Sequence, residues 1–324
     1  MRANISGKTI LVTGGAGFIG SHLTDRLIAL GAARVVVIDN LFVGSEENLG
    51  PAHATGKLSF YKDDAEFPTS LNAIFDAHDI DIVFNCATKA LNYSFVNPAN
   101  AFDTNVAVIL NLLEHQRRGQ FTTLCHFSTS EVYGTAVYEP MDEKHPRNPT
   151  TTYAAGKAAA DLALESYVRM FGVDAFIVRP FNNYGPRQNH KGMLAGVIPI
   201  TALRILTGGQ PEIHGSGDQS RDFIHVHDTV DAAIKLYGIL PAGESVNIST
   251  DNQIAINELI PRICQHFGFS GEIVRKPARA ADVLCHNASN EKVKRMIDYQ
   301  LTSFDVGLAS TLDWYRERVE GQSK

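Results

Sequence analysis

Short apolar runs alternate with longer mixed stretches along the first 180 residues. "KTILVT", "RVVVID", "LSFYK", "DIVFN", "FTTLCHFS" and "DAFIVRP" are β-branched or aromatic runs of the length that predicts buried strands. Between them, the spacing of apolar residues predicts helices over 18–30, 68–77, 98–119 and 153–171. Strand then helix, repeated, requires crossover connections, so the pattern predicts a parallel, doubly wound α/β sheet. Beyond Pro180 the pattern breaks into Gly, Pro and Asn punctuation, in "FNNYGPRQNHKG" and "GGQPEIHGSGD". The expectation is a first domain over 1–180 and a smaller C-terminal lobe over 181–324. A strand-like "SVNIS" followed by an amphipathic stretch over 256–267 predicts that the chain partly returns to the first layer, so that the lobes interleave. No internal repeat or low-complexity tract is present.

Composition narrows the function classes. A chain of 324 residues is long enough for a large core. Its net charge of −6 is modest and its 29 basic residues form no block, which argues against a nucleic-acid partner. Cys86, Cys125, Cys264 and Cys285 lack the pair spacing of zinc sites and are expected as reduced thiols, with no metal. His225 and His227 in "HVH" are spaced to share one face of a strand, a spacing that imitates metal ligation. "MRANISGK" leads directly into a strand with no secretory apolar region, and no apolar run approaches a membrane span. The expectation is a soluble, cytoplasmic protein.

"TGGAGFIG" places Gly14, Gly17 and Gly20, with Phe18 and Ile19, at the turn from the first strand into the first helix. Glycines there permit a tight turn and close backbone approach, so that amides at a helix N-terminus hold a pyrophosphate, as in a Rossmann fold. Asp39, followed by Asn40, ends the second strand at the position from which a carboxylate accepts hydrogen bonds from an adenosine ribose. A negative charge there would repel a 2′-phosphate, which favours NAD over NADP. Asp64 and Ala65 end the third strand, and Asn85, Ala87 and Lys89 follow the fourth. "TTYAAGK" sets Tyr153 and Lys157 four apart, on one face of a helix. An ammonium and a positive nicotinamide would favour the phenolate of Tyr153, making it a base at neutral pH. Taken alone, such a pair is common on helix surfaces.

Taken together, "GGAGFIG", Asp39, the hydroxyl-rich strand end at Ser128, Thr129 and Ser130, "YAAGK" and "RPFNNYGPR" resemble the extended short-chain dehydrogenase/reductase family that modifies nucleotide sugars. The resemblance spans nearly the whole chain. It implies that Tyr153 takes a proton from a sugar hydroxyl, that Lys157 supports it, that Thr129 bonds the same oxygen, and that tightly held NAD takes the hydride. It also extends the cofactor surface to Asn105, Ser128 and Pro180. For the substrate it implies Asn182 and Arg221 on a diphosphate, Arg279 and Asp282 of "RAAD" on a phosphate and the nucleotide ribose, and contributions from Ser94 and Arg187. Val197 and the "EIHG" stretch correspond to the base pocket, where His214 replaces the usual hydrophobic or aromatic residue. The "TKALNYSF" loop after the fourth strand fits none of the family's patterns well.

Glu131 separates the family's reactions, which share oxidation at sugar carbon 4. A 4,6-dehydratase uses an adjacent Asp and Glu after the Thr, and Ser130 here occupies the Asp position. The order Thr129, Ser130, Glu131 resembles UDP-glucuronate decarboxylases, whereas "YGPRQN" and "AGVIP" resemble the 4-epimerases. The leading expectation is an NAD-dependent nucleotide-sugar 4-epimerase, with a UDP-sugar as substrate. The alternatives are the decarboxylase, a dehydratase using Glu131 as base, and, from another class, an NAD-sensing binding protein. Small and apolar residues on more than one face of the helices from Pro98 and Tyr153 predict a homodimer formed through a four-helix contact.

Overall fold

The computed structural model of the chain describes residues 2–190, 192–278 and 287–322. The first part runs β1 (Thr9–Thr13), α1 (Phe18–Ala29), β2 (Arg34–Ile38), α2 (Gly50–Ala54), β3 (Leu58–Tyr61), α3 (Pro68–Ala77), β4 (Ile82–Asn85), α4 (Pro98–Arg117), β5 (Thr123–Phe127), α5 (Thr152–Phe171) and β6 (Asp174–Pro180). It continues with β7 (Asn182–Tyr184), α6 (Val197–Leu206), β8 (Glu212–His214), β9 (Ser220–His225), α7 (Val226–Tyr237), β10 (Ser245–Ile248), β11 (Gln253–Ala255), α8 (Ile256–His266), β12 (Val274–Lys276), α9 (Glu291–Met296) and α10 (Phe304–Gln322). A seven-stranded sheet of order β10-β6-β5-β4-β1-β2-β3 has every neighbouring pair parallel. The doubly wound α/β expectation is met.

Two-residue alternation decides which face each strand residue serves. Ile10, Val12, Val35, Val37, Ile82 and Phe84 pack with Leu23 and Leu27 of α1 and with Val230, Ala233 and Leu236 of α7. Leu11, Val36, Ile38, Val83 and Leu124 face the other way, onto Leu71 and Ile74 of α3, Ile109 and Leu112 of α4, and Leu164 of α5. Local chemistry sets the helix ends. Asn97 caps α4 by accepting from the Asn100 amide, with Pro98 beginning the helix, and Thr151 caps α5 by accepting from the Ala154 amide. Gly172 ends α5 in the left-handed conformation (φ 67°), which a glycine adopts without strain.

Beyond β6 the chain builds a separate layer, from segments on either side of β10. β7 pairs in parallel with β9, β11 pairs antiparallel with β9, and β8 pairs with β12. These strands are mostly three residues long, too short to show a period, which is why the sequence there reads as irregular. Its core gathers Ile198, Ile213, Phe223, Leu259, Ile263 and Leu312. "SVNIS" forms β10 and pairs with β6 at the edge of the large sheet. The "HVH" expectation needs correction. β9 ends at His225 and His227 already lies in α7, because the helix begins at Val226. The two rings still meet, 4.9 Å apart, and His227 Nε2 contacts His22 Nδ1 of α1 at 3.2 Å. Cys86, Cys125 and Cys264 are free thiols, and Cys285 lies outside the described residues. Among the described residues no helix is long and apolar enough to cross a membrane.

A chain of polar groups runs beneath the carboxyl ends of the strands. Thr13 Oγ1 donates to Asn85 Oδ1 (2.6 Å), and Asn85 Nδ2 donates to His126 Nδ1 (3.0 Å). His126 Nε2 then faces Asp161 of α5 at 3.7 Å. Burial holds the imidazole well below its usual pKa, so His126 is neutral. Asp161 receives both Nε and Nη2 of Arg179, whose Nη1 donates to Tyr133 Oη and Ser245 Oγ. Arg179 and Asp161 are essentially inaccessible to water. Arg179→Met should cost roughly 3–5 kcal/mol by leaving a buried carboxylate unpaired, and the double change with Asp161→Leu should recover much of it. Chemical-denaturation midpoints of the three proteins measure both.

Candidate active site

In open parallel sheets ligands bind outside the carboxyl ends of the strands, where the strand order reverses. Here that point lies between β1 and β4. The two loops leaving these strands touch: a Cβ added to Gly14 (φ 66°) would lie 2.8 Å from the Ala87 backbone. At Gly20 an added Cβ would collide with the Gly14 carbonyl oxygen and lie 2.8 Å from Gly15 Cα, so no side chain fits beneath the turn. The amide end of α1, which begins at Phe18, opens above this turn. The result is a cavity of about 420 Å³.

Most residues singled out from the sequence line that cavity. They include Gly14, Gly17, Phe18, Ile19, Gly20, Asp39, Asn40, Asp64, Ala65, Ala87 and Lys89 on the cofactor side. Ser128, Thr129, Ser130, Glu131, Tyr153, Lys157, Pro180 and Asn182 line the other end. Asp39 is fixed by its own loop: its carboxylate accepts from the Ala16 amide (2.9 Å) and the Leu41 amide (2.8 Å). Burial raises its pKa, against the pull of those amides and that of Gly17. Asn40 Nδ2 donates to Asp64 at 2.5 Å. The Lys89 ammonium stands 4.0 Å from the same carboxylate and 4.6 Å above the Phe42 ring.

The residues fit an NAD: a side-chain-free cradle at a helix N-terminus for the pyrophosphate, and a carboxylate oriented at the end of β2 for a ribose. Gly14, Gly17, Gly20 and Asp39 would hold it, with Asp64 and Lys89 farther along.

Tyr153 stands in the first turn of α5 and Thr129 follows the end of β5, which brings their side chains within hydrogen-bonding reach. Thr129 Oγ1 also accepts from the Glu131 amide (3.3 Å), which leaves its own proton free for another partner. Burial pushes the Tyr153 phenol up to about 12, and the Glu131 carboxylate pushes in the same direction. Lys157 is buried one turn later and donates to the Phe127 carbonyl at 2.8 Å. Desolvation brings its pKa down to about 8, against the pull of Asp161. Glu131 sits in the helical turn Ser130–Tyr133, where burial raises its carboxyl and the Arg221 guanidinium partly offsets that.

A second cavity of about 270 Å³ continues from the first, sharing Asn182, Asn183, Gln188 and Gly196 with it. Val197, His214 and Arg221 line it. His214 Nε2 and Arg204 both approach the carboxylate of Glu212, at 3.2 and 2.7 Å, so this end is polar where relatives were expected to be apolar.

Three residues lie elsewhere. Arg187 (φ 66°) pairs with Asp25 of α1 at 2.8 Å and lines neither cavity. Ser94 is buried and donates to the Leu91 carbonyl. Asn105 lies behind the cavity wall, accepting from Thr88 Oγ1 (2.9 Å) and the Lys89 amide (3.2 Å). Arg279 and Asp282 fall outside the described residues. The sequence reading missed Phe42, Thr88, Asn183 and Gln188, all of which line the main cavity. Gln188 stands in the quoted "YGPRQN" motif and was within reach, whereas Thr88 sits in a loop with no matching pattern.

An α/β dehydrogenase-like fold with a glycine cradle, an anchored acidic strand end and a Tyr-Thr pair defines a nucleotide-dependent oxidoreductase-type site. Residues 10–249 match the family described as Epimerase, the NAD dependent epimerase/dehydratase family. The chain belongs to it, which makes the protein an enzyme that uses NAD. It is 36% identical over 276 residues to a putative UDP-glucose 4-epimerase of Methanocaldococcus jannaschii, covering 85% of this chain and 87% of that one. UDP-glucuronic acid decarboxylase 1 of Xenopus tropicalis is 31% identical, over 98% of this chain and 74% of that protein. The crystal structure of UDP-glucose 4-epimerase with UDP-glucose from Thermotoga maritima superposes with a TM-score of 0.89 at 32% identity, covering 96% and 99% of the two chains.

Gly20→Ala tests the cradle. Overpacking of about 1–3 kcal/mol against backbone should weaken NAD by about five- to hundred-fold. NAD content of the purified variant, read by acid release and enzymatic assay, checks this.

Proposed function

We propose that the protein is a nucleotide-sugar 4-epimerase acting on a UDP-sugar. The observation that carries this reading is the Tyr153–Thr129 pair lining a cofactor cavity that continues into a second, guanidinium-bearing cavity. When bound, NAD supplies a hydride acceptor and donor. Tyr153 removes the proton of the sugar 4-hydroxyl while Thr129 donates to the same oxygen, and Tyr153 returns the proton after the sugar has presented its other face. Lys157 adds positive charge beneath the phenolate. Arg221 and Asn182 meet the diphosphate, and Val197 and His214 flank the base. Similarity to UDP-glucose 4-epimerases supports the choice of sugar nucleotide.

Glu131 favours a second reading. Its carboxyl lies within electrostatic range of Tyr153 and Arg221, and the order Thr129, Ser130, Glu131 is that of the decarboxylases. Elimination is disfavoured because it needs an acid beside the base for the departing hydroxyl, and Ser130 supplies none.

Mass and proton NMR spectra of products from UDP-glucose, UDP-N-acetylglucosamine and UDP-glucuronate separate these readings. The epimerase gives unchanged mass with carbon 4 inverted; loss of carbon dioxide or water would overturn it. Tyr153→Phe should abolish turnover and leave nucleotide-sugar binding nearly intact. Glu131→Ser should retain most epimerase activity, whereas a general-base role would show as a loss of about 10²–10⁴-fold.

A homodimer through α4 and α5 belongs to the same proposal. Phe102 and Leu110 of α4 and Leu162 of α5 are 36%, 37% and 49% exposed, which supports an apolar face awaiting a partner. Leu162→Glu should shift the protein from dimer to monomer in sedimentation velocity.

A further inference from the structure

Thr88 begins the "TKALNYSF" loop that no sequence pattern explained, and it lines the main cavity. Its hydroxyl lies 2.9 Å from Asn105 Oδ1 and 3.1 Å from the Lys89 carbonyl, and it is within hydrogen-bonding reach of the Tyr153 phenol. Asn105 is buried in α4, with Oδ1 also fixed by the Lys89 amide. The arrangement depends on close helix packing: a Cβ on Gly156 would lie 2.8 Å from the Phe102 carbonyl and 3.3 Å from Asn105 Cβ. Without a side chain at Gly156, α4 brings Asn105 up behind the loop that faces Tyr153.

We propose that Thr88 is a positioning residue for the catalytic phenol: its hydroxyl rests on Asn105 while Tyr153 is neutral and turns to donate to the Tyr153 oxygen when that oxygen is ionised. A hydroxyl carries one proton and two acceptor sites. While Tyr153 is a phenol, the Thr88 proton rests on Asn105 and the phenol can donate to Thr88. On ionisation, rotation about the Thr88 C–O bond redirects that hydrogen bond from Asn105 to the phenolate, with the proton kept on Thr88 and no movement of heavy atoms.

The site has need of such a donor. Glu131, from the turn after β5, opposes a negative charge on Tyr153. Lys157, on the same helix, is engaged with the Phe127 carbonyl. Thr129, the other hydroxyl on the phenol, must give its single proton to the sugar oxygen in the proposed reaction. Thr88 has no such competing duty. The inference rests on Tyr153 being the base, but not on which sugar is turned over.

The test is a spectroscopic titration of Tyr153 in the NAD-bound protein, by ultraviolet tyrosinate difference absorbance with Tyr153→Phe subtracted. It is run for wild type, Thr88→Val and Thr88→Ser. A hydrogen bond to a charged group sets the scale, so Thr88→Val should titrate about one pH unit higher. Thr88→Ser should titrate with wild type. The ascending limb of the kcat profile should move in parallel, with KM little changed. If Thr88→Val fails to fold, Thr88→Ala removes the hydroxyl without adding bulk and is read the same way. Coincident titrations of the hydroxyl-free variant and wild type would overturn the proposal, as would a Thr88→Ser protein that behaves like Thr88→Val. A failure of the 4-epimerase reading appears separately, in the product spectra, and leaves the titration unaffected.

Discussion

Arg179 is the residue on which the geometry of the site depends. From β6 it reaches Asp161 on α5, Tyr133 in the turn carrying Glu131, and Ser245 on β10. One guanidinium therefore fixes three separate segments. A guanidinium suits this because its donors form a rigid planar fork and it stays charged when buried. Removing two such charges from water is costly, and replacing a buried pair by well-packed apolar groups is often neutral or better for stability. The pair is better understood as specifying where α5 and the Ser130–Tyr133 turn stand relative to each other. Tyr133 continues the connection to Asn247 of β10 at 2.7 Å. The strand that returns from the second lobe is thus tied to the turn that lines the reaction cavity.

That placement brings a phenol and an ammonium into a site where burial works against both charged forms. The phenol is pushed up to about 12 and the ammonium down to about 8. Desolvation alone would leave a tyrosine that stays protonated at neutral pH and a lysine with a weakened hold on the positive charge that favours a phenolate. Charge and hydrogen bonds must supply the difference. Asp161, four residues after Lys157, pulls the lysine back toward its charged form, so the pair that positions the helix also maintains the ammonium. Around the phenol the corresponding help comes from hydroxyls, Thr129 on one side and Thr88 on the other. The low-dielectric setting makes each such contact worth more than it would be in water.

The parts of this legible from sequence are those with a repeating physical cause. Helix α3 spans the expected 68–77, and the other three expected helices end within two residues of their predicted limits, because periodicity and caps act locally. The glycine turn and Tyr153 were legible because backbone approach and helical spacing leave signatures in the order of residues. The layer built from segments on either side of β10 was not: its strands are held by pairing between distant segments, and three residues carry no period. Arg187 illustrates a different gap. It stands in a motif associated with substrate, yet whether its side chain turns to the cavity or to Asp25 depends on a left-handed backbone that the sequence does not display.

Glu131 remains the most informative single side chain, because its surroundings constrain what it can do. It is half-buried, within electrostatic range of a phenol whose ionisation it opposes and of a guanidinium that favours its own charged form. If a phosphate engaged Arg221, that support would be shared, and the carboxyl would move further toward its neutral, hydrogen-bond-donating state. A neutral carboxyl no longer opposes ionisation of Tyr153. The diphosphate of a bound sugar nucleotide would bring negative charge of its own, so the balance of the two effects, rather than the carboxyl alone, sets how readily the phenol ionises.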